Sequence, residues 1–198
     1  MNKTEFYAKL STPTNDPANL ALAAMQGDGK AEVYLRGVYD QFLAFSVEVT
    51  AFSRFDLEGT GQGEAYFATV IQVVGYEILE QLLDTFTTII NQTGGQSPLI
   101  RNDMLRRRLF GNERLGPIAR NIVKLWFTGN WYQLPRNWSE KFGPAPKDVT
   151  FTVSANAYVE GLLWTTIGAH PAGAKAQGYG SWANPPRIPE FGSDAVVR

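Results

Sequence analysis

Between Glu64 and Asn91 the large apolar residues recur at intervals of three and four: Phe67, Ile71, Val74, Ile78, Leu82, Phe86 and Ile89. That spacing follows the turn of an α-helix and places all of them on one stripe. It predicts a single amphipathic helix over 64–91, with Val70 and Ile90 widening the buried face and Ile78 near its centre. A helix with such a stripe draws its stability from packing, so other helices must cover it. Gly75 within it costs about 1 kcal/mol against alanine and is expected at a close helix crossing. Thr93-Gly94-Gly95 ends the helix.

The remaining sequence supplies covering elements. Asp16-Pro17 can cap a short helix from about Ala18. A second helix is expected over Ala31–Ala51, where Val38, Phe42, Phe45 and Val49 repeat at helical spacing. Gly59 to Gly63 is a loop. Asn102-Asp103 can cap a short basic helix, Met104–Phe110, stopped by Gly111, and Gly116-Pro117 opens the next. On that helix Ile118, Ile122, Leu125 and Trp126 share one side. Ser154 is a cap for a last helix over Ala155–Trp164, with Tyr158, Leu162 and Thr165 inward. Trp131 to Lys147, broken by prolines and glycines, reads as irregular. A chain of 198 residues suits one domain. The fold class is therefore mainly α: an antiparallel helical bundle over about 18–167, followed by a long irregular Gly/Pro/aromatic-rich C-terminal arm, 168–198.

Few residues are suited to chemistry. There is no cysteine, which excludes disulfides, thiolate metal sites and cysteine nucleophiles in this chain. The single histidine, His170, precedes Pro171 in a glycine-rich loop and reads as a structural group more readily than as a base. Glu77, Glu80 and Asp84 could line one face of the long helix. They lack the ExxH companion of a di-iron bundle and suit a solvated acidic face. The Gly59–Gly63 loop follows a helix instead of a strand, and it lacks the GxGxxG and GxxxxGK[ST] patterns of phosphate-binding loops. No run of about 18 apolar residues is present to span a bilayer, and Met1 to Glu5 shows no export leader.

Charge and aromatics carry more information. Residues 1–100 have a balance of −7 and residues 101–198 of +6, so the halves either neutralise each other or offer a basic surface to an acidic partner. The net charge of −1 gives no general attraction to nucleic acid. Arg106, Arg107 and Arg108 would pair with the acidic half or with a partner. All five tryptophans, Trp126, Trp131, Trp138, Trp164 and Trp182, fall between residues 126 and 182. Tyr179, Trp182 and Phe191 stand among glycines and prolines, with no periodicity. They need a surface to lie on: the chain's own core, or a groove shared with a second protein.

Four segments carry a resemblance to a known family. Ile118-Ala119-Arg120-Asn121-Ile122-Val123-Lys124-Leu125-Trp126-Phe127-Thr128-Gly129 resembles an I-x-x-x-W-Y-x-G segment. Tyr158-Val159-Glu160-Gly161-Leu162-Leu163-Trp164 is similar to the helix before an arm, and Gly178-Tyr179-Gly180-Ser181-Trp182-Ala183-Asn184-Pro185-Pro186 to a terminal Gly-x-x-x-Trp element. Phe42-Leu43-Ala44-Phe45-Ser46, Val49-Thr50 and Asp56-Leu57 look like an opening F-x-x-L-S segment. Together, over roughly residues 40 to 190, they resemble the small subunits of bacterial FAD-dependent sugar and polyol dehydrogenases (sorbitol, fructose, glucose and gluconate).

The resemblance implies a non-catalytic subunit that assists and stays bound to a large flavoprotein of the glucose-methanol-choline type. FAD belongs to that partner, and this chain holds no cofactor and no metal. A multihaem cytochrome c is often a further partner, and the compartment is the periplasm, with the cytoplasm as the alternative for a chain without a visible leader. The partner-binding candidates are Trp126, Trp131, His170, Tyr179, Trp182, Arg106 and Arg107. Two other readings stand beside it: a helical enzyme with a site near His170, Tyr179 and Glu160, and a homo-oligomer that swaps its arms.

Overall fold

The protein is described here by a computed structural model, whose backbone is defined for residues 29–171 and whose side chains are defined from Leu35 onward. The expected helix near Ala18, and the arm beyond residue 171 with Tyr179 and Trp182, lie outside the described residues. Within them the chain is mainly helical. Helix α1 (Gly29–Thr50) leads into α2 (Arg54–Gly59), α3 (Gly63–Val74) and α4 (Tyr76–Gln92). Helix α5 (Pro98–Met104) continues directly into a π-helical segment (Leu105–Phe110), and α6 (Leu115–Thr128) follows. Strand β1 (Asn130–Trp131), α7 (Arg136–Phe142), β2 (Phe151–Thr152), α8 (Ala155–Val159) and α9 (Leu162–Thr166) complete the described chain.

The apolar stripe of residues 64–91 is buried as its spacing requires, but it belongs to two helices. Gly75 adopts φ 87° and ψ 154°, which ends α3 and starts α4. Such a conformation is essentially confined to glycine. A Cβ at Gly75 would meet nothing within 4 Å, so the residue makes a bend and not the close helix crossing expected of it. The bend turns the helical register. Leu79, Leu82 and Leu83 are fully buried, whereas Ile78, the expected centre, is half-buried. Helix α1 runs as anticipated and buries Val38, Phe42 and Phe45, together with Leu35 and Leu43. It packs on α4, α3 and α6.

Helix α6 contacts α1, α3, α4, α9 and the π-helical segment. Ile118, Ile122, Leu125 and Trp126 are all buried, in agreement with their spacing. Around it the sequence reading needs three corrections. The basic helix begins at Pro98 with Ser97 as its cap, so Asn102-Asp103 lies inside it instead of starting it. The segment Trp131 to Lys147 is not wholly irregular: Asn130 and Trp131 pair antiparallel with Thr152 and Phe151, and α7 lies between. The last helix is two short ones separated by Gly161, with Ala157 and Leu162 buried and Thr165 exposed.

Core depth separates two neighbouring substitutions. Leu82→Ala should lower stability by about 2–5 kcal/mol, the range for a large buried aliphatic cut to alanine. Ile78→Ala should cost clearly less. Urea denaturation of both variants checks this order; equal losses would mean that the register set by Gly75 is wrong.

Candidate functional site

Four of the tryptophans lie among the described residues, and their surroundings decide whether they can meet a partner. Trp126 and Trp131 are both 0% exposed. The Trp126 ring stacks near Phe42 of α1 at 6.4 Å and receives Tyr66 of α3 edge-on at 5.0 Å. Trp131 donates its indole N–H to Asp148 Oδ1 at 2.8 Å, and the same carboxylate accepts the backbone N–H of Leu134 at 3.0 and 3.1 Å. Trp138 donates to the Arg114 carbonyl (2.8 Å) and Trp164 to the Tyr158 carbonyl (2.7 Å). The assignment of Trp126 and Trp131 as partner-binding residues is therefore corrected. Large rings that the helices enclose on every side present no surface to a second protein.

Two glycines let segments distant in the chain approach closely. Gly129, at the end of α6, has φ +68°, and a Cβ there would run into the backbone of Ala157, with Tyr158 N only 2.8 Å away. Gly161 faces back onto the same junction: its Cβ would stand 2.7 Å from the carbonyl oxygen of Phe127. Residues 118–129 and 158–164, far apart in sequence, thus interlock through a glycine on each side. Asn121 supports the junction by donating to the Tyr132 carbonyl (2.7 Å) and accepting from the Tyr132 N–H (3.2 Å).

The other candidates scatter. Arg106 and Arg107 stay on the surface, their side chains 82% and 76% exposed, both leaning on Asp103 at 3.8 and 2.9 Å. His170 is half-buried beside buried Pro171. Glu77, Glu80 and Asp84 line an open cleft of about 610 Å³ together with Gln81, Thr88 and Arg108. Among the described residues no three His, Cys, Asp or Glu side chains gather to hold a metal ion. The Gly59–Gly63 loop offers no phosphate cradle, because Gln62 and Gly63 are buried and the Tyr39 hydroxyl packs on Gly63. Among the described residues no helix is long and apolar enough to cross a membrane.

The sequence reading missed the exposed apolar residues. Phe55 is 84% exposed and Leu99 78%, with Ile100, Val149 and Ile167 about half exposed. Phe55 had a legible signal, the Ser53-x-x-Asp56 pattern, which forms a capping box here. Leu99 and Ile100 had one as well, since Ser97-Pro98 announces a helix start. In whole-chain comparison, no protein-family model, no curated protein and no solved structure matches this chain.

Two measurements probe this region. Gly129→Ala should destabilise the protein by several kcal/mol, since the left-handed backbone and the Ala157 contact both oppose a methyl group. A melting temperature within a degree or two of the parent's would sink the interlock. Tyr39 gives a pH signature: burial foremost, then the charges of Glu64 and Glu58, push its phenol from 10.0 to about 12. Below the unfolded tyrosine pKa this contribution to stability is complete. As pH rises towards 12 the unfolded chain sheds the proton first, and stability falls. Denaturation at about pH 9 and about pH 11 should show a steeper loss for the parent than for Tyr39→Phe; parallel losses would refute the assignment.

Proposed function

We propose that this chain is a non-catalytic accessory and assembly subunit that binds and stabilises the large FAD-containing subunit of a sugar or polyol dehydrogenase complex. The observation that carries the proposal is the interlock of Gly129 with Ala157 and of Gly161 with Phe127. Two of the four segments behind the resemblance meet at one junction and require each other's glycines. In this reading the helical core is an antiparallel bundle, and the compartment is the periplasm. The redox chemistry belongs to the flavoprotein, with a multihaem cytochrome as a further partner.

With Trp126 and Trp131 committed to the core, the partner-binding role passes to the residues around and beyond His170. Tyr179 and Trp182 are the candidate anchors, large aromatics of the kind that dominate protein interfaces. Half-exposed Ile167 stands at the root of that segment. Prolines at 185, 186 and 189 restrict the segment before it docks and so reduce the entropy lost on binding.

The test begins with the affinity-tagged chain purified from its own cells. It should bring down a yellow complex with a flavin spectrum and sugar-dependent dye reduction, in fixed proportion to a larger chain. Removing residues 172–198 should abolish that complex while the melting temperature of the lone chain holds. Trp182→Ala should weaken it by about 2–4 kcal/mol. A chain that purifies without flavin, or whose truncated form still assembles fully, would remove the proposal.

A further inference from the structure

The outer face of α1 carries two patches of opposite character. At one end, Arg54 of α2 reaches Asp40 of α1 at 2.6 Å and Glu58 at 2.7 Å. At the other, Arg101 of α5 reaches Glu48 of α1 at 3.2 Å. Asp40 and Glu48 are eight residues apart, about 12 Å along the axis and less than a quarter-turn around it. Helices α2 and α5 therefore flank one face of α1. Between Asp40 and Glu48 the exposed side chains on α1 are Gln41 and Ala44, and at Ala44 the surface is low enough to let another helix come close.

Each patch has an apolar centre and a charged rim. Phe55 projects from α2, whose first turn is fixed by the capping box of Ser53 with Asp56 and by both ion pairs of Arg54. Its position is thus set before any contact forms, which lowers the entropy cost of docking. Close to it in the fold are the carboxylates Asp40 and Glu58, both paired with Arg54, and Asp56, which closes the capping box. On the other patch, α5 buries none of its side chains and exposes Leu99 and Ile100. The π-helical segment that continues it adds Arg106 and Arg107, with Asp103 as their carboxylate neighbour.

We propose that this face is a two-fold interface between two copies of the chain, in which Phe55 of each copy seats against Leu99 and Ile100 of the other. An acidic patch and a basic patch lying side by side are exchanged by a two-fold rotation, so the surface is complementary to itself. The apolar centres meet under the same rotation, and Arg106 and Arg107 face the carboxylates around Phe55. A partner of a different sequence would have to reproduce both patches in reverse order, whereas a second copy already carries them. The charged contacts are exposed, so the association is sensitive to salt. The interface stands independently of the accessory-subunit reading, although Arg106 and Arg107 are candidates in both.

The chain has no cysteine, so single cysteines report on contacts cleanly. Sedimentation of the full chain alone should show a reversible dimer that weakens as salt is raised. Phe55→Ala should raise its dissociation constant at least about tenfold, while the circular dichroism melt at concentrations where both proteins are monomeric stays unchanged, because the residue is exposed in the single chain. Phe55→Cys and Leu99→Cys, prepared separately and mixed under mild oxidation, should form a disulfide-linked dimer faster than either variant by itself. The proposal is overturned by a chain that stays monomeric at every concentration or by open-ended polymers. It is equally overturned by a dimer in which the mixed pair links no faster than the single variants.

Discussion

Trp126 is the residue around which the described helices arrange themselves. It stands on α6, which touches α1, α3, α4, α9 and the π-helical segment, and its ring lies against Phe42 and Tyr66. Among the described residues the indole N–H of Trp126 and the hydroxyl of Tyr66 are buried with no hydrogen-bond partner. Each such group costs about 1–3 kcal/mol. Two large aromatic rings packed edge to face repay that cost through the apolar surface they remove from water. The chain downstream depends on this placement, because Gly129, three residues on, ends α6 and steers into β1 against the backbone of Ala157.

The inward turn of the tryptophans changes how function is to be read. A cluster of indoles in sequence suggested anchors for a partner, yet Trp131, Trp138 and Trp164 each donate to an acceptor within the chain. Trp131 and Trp138 fasten the loop between α6 and α8, where the two-residue strands alone would hold little, and Trp164 ties α9 back to α8. Other side chains stay exposed among the described residues: Phe55 on its capped helix, those of α5, which buries none, and Arg106 and Arg107 of the π-helical segment. A π-helical turn bonds Gly111 N to the Arg106 carbonyl and widens the helix, so that Leu105 and Leu109 stay inside while Arg106, Arg107 and Arg108 stay outside. Six residues thus serve the core and the surface at once.

Periodicity alone identified the helical class, the course of α1 and the buried side of α6, since those depend only on which residues recur at three and four. It gave the apolar stripe of α3 and α4 too, but not the break, because glycine in a helical pattern has the same spacing whether it bends or continues. Turn chemistry was legible where the capping residue is local: Ser154 accepts from Ala157 N as its position implies. The contacts of Asp148 with Trp131 and Leu134 join residues well apart in the chain, and no local pattern announces them.

What this sequence determined by itself is a helical protein with one strongly apolar core, without thiol chemistry and with its charge divided between its halves. Those properties follow from residue type and order. The tertiary structure alone decided which aromatics are consumed by the core and which remain outside, and it left Phe55 and Leu99 exposed. It also decided that Gly129 and Gly161 answer one another. Burial and proximity arise from how helices pack, and a side chain's spacing records its own helix but not the element that comes to cover it.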